Sequence, residues 1–451
     1  VTLVVEAPAA YEPERRYVLE VVLGEWLGQQ WRLELAERSD VRLRLDGGSV
    51  LLPDVLFATP RDEWLTAASL PRLPLARCGD VPVLYGVADG DRPIRVEGDT
   101  VSVAIDVLGS AFFMLTRLEE HVVATRDRYG RFPADAAVAH RAGLLGIPIV
   151  DVYVDLLWEA LTRRWPRLQR PQRSYRVALT HDVDDPIARF GRGPRDLVRQ
   201  LGGDVVLRRD PALPARRIAS WAAGSRGGRR LDPHNTFDFL MDISERHGLS
   251  SAFYFMVADG TPDAEDPPYP IDHPWIAELM ARIHRRGHEL GYHPTDIDPE
   301  RTVRGFERLR AAVERADVRQ DLWGGRQHYL RWESPTTWRT WERAGLDYDR
   351  TLSYPDHIGF RTGTCHAYPV FDLLERRPLR LRERPFQVMD RTVFEYMGLE
   401  PDAAHAAVAE IAAQCRRHEG ELCLLWHNNV VMSAAQKRGY ERMVAMAVGA
   451  G

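Results

Sequence analysis

The sequence predicts an α/β protein in two domains, a smaller α/β domain over residues 1–165 followed by a (β/α) barrel over residues 174–451. Three observations carry that expectation. At 451 residues the chain exceeds the size at which one hydrophobic core keeps growing, so two domains are the default. Short apolar runs alternate with stretches of helical period along the chain, the pattern of strands joined by crossover helices. A polar, proline-bearing stretch from Trp165 to Arg173 interrupts that alternation and marks the boundary.

In the first domain, Leu3 to Val5 reads as a strand and about Pro13 to Leu27 as a helix. Strands follow at Trp31 to Leu35, Val41 to Leu45 and Val81 to Leu84, then helices at about Asp106 to His121 and Val152 to Arg164. The charged clusters Arg117-Leu-Glu-Glu120 and Arg126-Asp-Arg-Tyr-Gly-Arg131 read first as solvated helix ends, with a cleft lining as the alternative.

The second domain opens with the apolar run Arg176 to Thr180, which ends in Thr180-His-Asp-Val-Asp184. An arginine-rich stretch, Arg189 to Arg230, reads as a solvated insertion that is helical around Ile218 to Trp221. Its alternative is a hold on an anionic substrate such as a sugar phosphate or nucleotide sugar. Phe237, Leu240 and Met241 then form one helical face, Ala252 to Met256 a strand, and Ile276, Leu279, Met280 and Ile283 the buried side of a helix starting at Pro274. His288 to Tyr292 is a strand, Val303, Phe306, Leu309 and Val313 share a helix face, and a strand is expected near Gln327 to Tyr329. A helix capped by Ser334-Pro335 and a strand from Glu421 to Trp426 complete the series. Units of this kind imply a mostly parallel sheet, and their number suits a closed or nearly closed barrel whose strand ends share one rim.

Composition excludes several classes of function. The net charge of −5 gives no sign of nucleic-acid binding, and Lys437 is the only lysine, so the abundance of arginine reads as coding bias. Cys78, Cys365, Cys415 and Cys423 are dispersed and form no Cys-x-x-Cys pair, which suggests neither a disulfide framework nor a thiolate zinc site. No run is long enough to span a bilayer and the first residues lack a secretory pattern, so a cytoplasmic location is expected.

The chemistry is expected at strand ends: Asp182 and Asp184, then His293, then Arg326 and His328, then His427. Carboxylate and imidazole are the donors a hard or borderline divalent cation takes when one position stays open for water. Taken singly, each of these histidines has a structural reading, and His-Asp pairs also occur in helical phosphohydrolases; here the pair follows a strand.

These residues resemble the polysaccharide deacetylases, carbohydrate esterase family four, whose fold is the deformed (β/α) barrel of NodB type. Thr180-His-Asp-Val-Asp184 is similar to the family's first motif, Gly287-His-Glu-Leu-Gly-Tyr-His293 to the one that brings in a metal histidine, and Leu424-Leu-Trp-His427 to the last. The resemblance covers the chain from about Ser174 onward. It implies Asp182 as catalytic base, Asp184 and His293 as metal ligands, His427 as general acid, and Arg326, with Arg331 as alternative, as the group that orients Asp182. The family's second metal histidine is replaced by Ile297, so a third ligand must come from elsewhere. His328 is the first candidate, placed by strand alternation on the same face as Arg326, ahead of Asp296 and Asp298. The first half, through Asp106 to Phe113 and Arg117 to Glu120, resembles an accessory α/β domain that precedes such barrels, with rim covering or cleft shaping as its expected work.

The function so implied is hydrolysis of an N-acetyl group on an amino sugar or small sugar-containing metabolite. One divalent metal is expected, zinc first, with iron, cobalt and nickel also admissible. Two alternatives stand beside it: an O-acetyl esterase or small amide or imide hydrolase on the same barrel, and a non-catalytic sugar-binding protein. The expected partner is a small-molecule or carbohydrate substrate, with no nucleic acid and no membrane span; the oligomeric state is left open.

Overall fold

A computed structural model of the chain describes residues 2–87, 91–188, 193–206, 210, 212–257 and 269–449. The first part of the chain supplies β1 (Thr2–Ala7), β2 (Gln30–Leu35), β3 (Asp40–Leu45), β4 (Gly48–Pro53), β5 (Ala76–Cys78), β6 (Val81–Val83), β7 (Ile94–Glu97) and β8 (Thr100–Val103). Six of them form one mixed sheet in the order β2-β1-β3-β4-β8-β7, while β5 and β6 make a separate hairpin. β3 turns into β4 through Asp46-Gly47, both at positive φ, the backbone a two-residue hairpin needs. The helix expected from Pro13 to Leu27 is present as Glu12–Leu19 running on as a π-helical stretch, Glu20–Trp26. The long helix Ile149–Arg164 packs across β4 and β8.

The second sheet comprises β9 (Arg176–Val183), β10 (Ser251–Val257), β11 (Glu289–Pro294), β12 (Gly324–Gly325), β13 (Tyr348–Asp349), β14 (Tyr368–Asp372), β15 (Arg377–Glu383), β16 (Val388–Met389) and β17 (Glu421–Leu425). Its order is β14-β15-β13-β12-β11-β10-β9-β17-β16, parallel throughout except for β14 against β15. Every residue of β10 is buried, as expected of a parallel strand covered on both faces. The first strand in sequence, β9, lies near the middle, with β10 on one side and β17 on the other. Of the expected closed or nearly closed barrel, the closed form is corrected: among the described residues strand pairing stops at β14 and β16. A hairpin, β14–β15, takes one edge where a further parallel unit would have continued the ring.

The helices that connect these strands carry the predicted faces, including Phe237–Arg246, Pro274–Arg285, Pro299–Arg315, Thr336–Ala344, Pro401–Arg417 and Ala434–Val448. Proline opens three of them at the position where an amide donor is not required. Pro335, not Ser334, is the cap of Thr336–Ala344, and it makes no side-chain cap bond. The arginine-rich stretch is more helical than expected, with helices Pro194–Val206, Ala212–Ala222 and Gly224–Leu231; its residues 189–192, 207–209 and 211 lie outside the described residues. The four cysteines are buried and free. No helix among the described residues is long and apolar enough to cross a membrane.

Segment 358–372 docks the first sheet's layer onto the second. Val150 N donates to Gly363 O at 2.8 Å, Phe360 N to Leu145 O at 2.8 Å, and the Tyr17 hydroxyl to Pro369 O at 2.8 Å. At its centre, Arg361 grips Glu120 through two bonds of 2.9 and 2.6 Å, and Arg117 reaches the same carboxylate at 2.8 Å and Glu119 at 2.7 Å. All four side chains are at most 2% exposed. The reading of Arg117 to Glu120 as a solvated helix end is therefore corrected, and these charges do not line a cleft either.

A second buried group yields a pH expectation. Asp349 and Glu383 are register partners across β13 and β15 and are fully buried. Burial pushes both carboxyls up, Asp349 to about 7, and the Asp349 charge adds to the rise at Glu383. Hydrogen bonds from Thr351 and Trp338 and the charges of Arg326 and Arg361 oppose this without cancelling it. The unfolded chain therefore releases these protons first, near pH ~4, so stability is full below that value and falls as pH rises through the raised folded-state values, about 7 at Asp349. Melting temperature followed by calorimetry should decline across this window, and the decline should be shallower in Glu383→Gln.

Candidate active site

The strand ends expected to share a rim do so. Asp182 and Asp184 lie at the carboxyl end of β9, His293 in β11, Arg326 directly after β12, and His427 two residues past the end of β17. Alternation along β9 sends Thr180 and Asp182 to one face and His181 to the other, where its ring packs 4.7 Å from Phe253 and its Nδ1 lies 2.8 Å from Trp426 O. Burial pushes the His181 pKa down to about 4, so the imidazole in the most conspicuous motif is a neutral packing group.

Arg326 is fully buried and its three nitrogens are committed. Nη1 donates to Asp182 Oδ1 at 2.7 Å, Nη2 to Thr180 Oγ1 at 3.0 Å, and Nε to Arg350 O at 2.9 Å. β12 reaches this position because Gly325 lets it press against β11: a Cβ there would sit 1.9 Å from Tyr292 O. Arg331, the alternative orienting group, is held elsewhere, its Nε donating to Tyr129 O at 3.0 Å.

His293 Nδ1 lies 2.6 Å from Arg326 O, so it carries the proton and Nε2 is left as an acceptor. That Nε2 is 3.3 Å from Asp184 Oδ1, and both atoms are buried with no hydrogen-bond partner. Two acceptors facing one another in a dry site fit a cation between them. His328 completes the group: one donor atom each from Asp184, His293 and His328 fall within 4.8 Å of one another. Two nitrogens and a carboxylate oxygen are a donor set suited to zinc and its neighbours. His328 does not arrive as predicted, however. The strand ends at Gly325, and His328 begins a turn in which Tyr329 and Leu330 both take φ of 58°. The alternatives for the third ligand are used otherwise: Asp298 caps the helix Pro299–Arg315 through Arg301 N at 2.9 Å, and Asp296 pairs with Arg301.

His427 Nδ1 lies 2.7 Å from Asp390 Oδ1, and the other oxygen of Asp390 accepts from His427 N at 2.7 Å. Burial lowers the His427 pKa, but the Asp390 and Asp184 charges outweigh it and hold the imidazole above its ordinary value. At Asp184, burial is likewise outweighed, chiefly by the His427 charge, and the carboxyl sits well below the usual range. Asp390 lies immediately after β16, on the same rim, and that position after the short apolar run Val388-Met389 is the signal by which the sequence could have revealed it.

These groups open into a cavity of about 330 Å³ lined also by Tyr129, Arg131, Tyr329, Arg391, Glu395 and Tyr396. Tyr129 and Arg131 of the second charged cluster thus line a cleft, against its first reading, while Arg126 bonds the carbonyls of Glu120, Val123 and Thr125. Another donor group among the described residues, Asp151, Cys365 and His366, is engaged in docking: Asp151 accepts from Thr364 Oγ1 at 2.6 Å, Cys365 N at 2.9 Å and Cys365 Sγ at 3.1 Å.

Residues 3–166 match the model of a family of unknown function, DUF7033. A search of curated proteins finds no match. Among solved structures the chain is similar to a candidate polysaccharide deacetylase from Mycobacterium smegmatis, with 17% identity and a TM-score of 0.40 over 62% of this chain and 85% of that one. It is also similar to Puue allantoinase, with 11% identity and a TM-score of 0.39 over 61% of this chain and 85% of that one.

Proposed function

We propose that the chain is a divalent-metal-dependent hydrolase that removes an N-acetyl group from an amino sugar or small sugar-containing metabolite. Residues 174–451 form its catalytic unit, an opened (β/α) barrel, and residues 1–165 an accessory unit. The observation that carries this reading is the juxtaposition of Asp182, tied to buried Arg326, with the donor group Asp184, His293 and His328 and with the Asp390-oriented His427. The resemblance of the three ordered motifs to those of the polysaccharide deacetylases supports it.

Asp184, His293 and His328 would hold the cation. When bound, it would polarise the acyl carbonyl and acidify a water molecule. Asp182 takes a proton from that water as its oxygen bonds to the acyl carbon, and Arg326 fixes the carboxylate in the attitude this requires. His427, in its protonated form, delivers a proton to the departing nitrogen as the C–N bond breaks, leaving acetate and an amine. Asp390 holds the imidazole so that Nε2 faces the cavity; this nitrogen lies 3.6 Å from Asp184 Oδ2.

A panel of N-acetyl, O-acetyl and imide compounds tests the reading, with turnover of N-acetylated sugars alone as its expected result. Asp390→Asn provides a sharper check, since Asp390 is a positioning residue that acts through His427. Its kcat on an amide should fall roughly 10²-fold. On an aryl ester, whose leaving group departs without a proton, the fall should be much smaller, with zinc content unchanged.

A further inference from the structure

The cavity wall beside the metal-binding group, where the Tyr329 ring lies 3.9 Å from that of His328, is built from both parts of the chain. Tyr129 comes from the first part and stacks on Tyr329 of the turn after β12, with ring centroids 5.1 Å apart and planes at 14°. Arg131, 4% exposed, lies 4.8 Å from the Tyr129 ring and 5.5 Å from that of Tyr396, and its Nη2 donates to the Tyr396 hydroxyl at 3.3 Å. Arg331 donates to Tyr129 O at 3.0 Å, and His121 Nδ1 is 3.5 Å from Ser334 O. The 121–131 segment is thereby stitched across the rim, from the turn after β12 to the π-helical stretch Thr392–Tyr396 after β16. Tyr329 is held with a left-handed backbone next to a second such residue, Leu330, a conformation that non-glycine residues keep where the surroundings impose it, commonly at binding sites.

Resting on the reading of this site as a sugar deacetylase, we propose that Tyr129, Arg131, Tyr329 and Tyr396 are the specificity-determining wall that receives a single or terminal saccharide ring. Tyr396, 45% exposed, offers a flat apolar face to the C–H face of a sugar, the edges of the Tyr129–Tyr329 stack that Arg131 braces close the chamber beside it, and Arg391, Glu395 and Asn429 supply polar groups for hydroxyls. At about 330 Å³ the chamber is at the small end of ligand pockets, roughly 300–1,000 Å³, so it accommodates one ring with its acyl group. Asp185, Arg391, Glu395 and Asn429 also line an adjoining cavity of about 840 Å³, into which the remainder of a larger substrate would extend. The first part of the chain then selects substrate directly and does more than cover the rim.

The test uses the full-length zinc-loaded Asp182→Asn protein, in which binding is read without turnover. Saturation-transfer NMR with N-acetylglucosamine, N-acetylgalactosamine and chitohexaose should show contact to ring protons of the single sugars and, in the oligomer, to a terminal residue. Adding Tyr129→Ala or Tyr396→Ala should weaken this binding roughly tenfold at unchanged zinc content, and Tyr129→Phe should restore it. No sugar contact, contact spread evenly along chitohexaose, or affinities indifferent to both alanine variants would overturn the proposal. Turnover of the same compounds by the wild-type chain judges the hydrolase reading separately: a protein that binds through this wall without hydrolysing would refute the hydrolase and retain the wall.

Discussion

Asp182→Asn protein should keep its zinc and lose turnover by about two to four orders of magnitude, the range for removing a general base or a group that stabilises the transition state. The substitution is nearly isosteric, and the amide oxygen can still accept from Arg326, so the buried guanidinium keeps its partner at this position. What disappears is the ability to take a proton from attacking water. Asp182 is not in the Asp184, His293 and His328 group, and its Oδ2 is 3.8 Å from His293 Nε2. Asp184→Ala and His293→Ala should behave differently, losing metal and turnover together. Elemental analysis and initial rates on the three purified variants separate the roles. A metal-free Asp182→Asn protein would mean that base and ligand have been exchanged.

Arg361→Ala should be the most damaging substitution for stability. It leaves Glu120 buried beside Glu119 with Arg117 as the remaining cation, in a layer where no side chain of the group is more than 2% exposed. Breaking a buried ion pair from one side costs roughly 3–5 kcal/mol because the orphaned charge stays desolvated. Arg361 also donates to Ser353 O at 2.9 Å, so a carbonyl loses its partner as well. Urea denaturation should show either a lower midpoint or an early separate transition in which the two sheets part. Arg361→Lys restores charge but not the two-pronged contact and should recover only part of the loss.

The sequence was most legible where function and local pattern coincide. Thr180 to Asp184, Gly287 to His293 and Leu424 to His427 each place a chemical group at the end of an apolar run, so strand and site are read from the same few residues. β10 and the helices that follow it are visible for the same reason. His328 was reached through a wrong intermediate, because two glycines make a strand too short to carry alternation past Arg326, and the turn at Tyr329 and Leu330 has no glycine to announce its left-handed backbone. The open edge is not legible because the antiparallel pair β14–β15 falls between the Ser334-Pro335 helix and Glu421, where the strand and helix alternation assigns no element. The burial of Arg117 and Glu120 depends on Arg361, 241 residues beyond Glu120, and no local window holds that information. Tyr129 and Arg131 joined the site through the same docking.

The central claim is that Asp184, His293 and His328 hold one divalent cation beside Asp182. Zinc-edge X-ray absorption of the purified full-length chain tests it most directly. The account predicts one ion per chain in a shell of nitrogen and oxygen neighbours at about 2.0–2.2 Å with the scattering of two imidazoles, and loss of that signal in Asp184→Ala. A folded chain that retains no zinc, or a sulfur neighbour near ~2.3 Å placing the ion at Cys365, would contradict it.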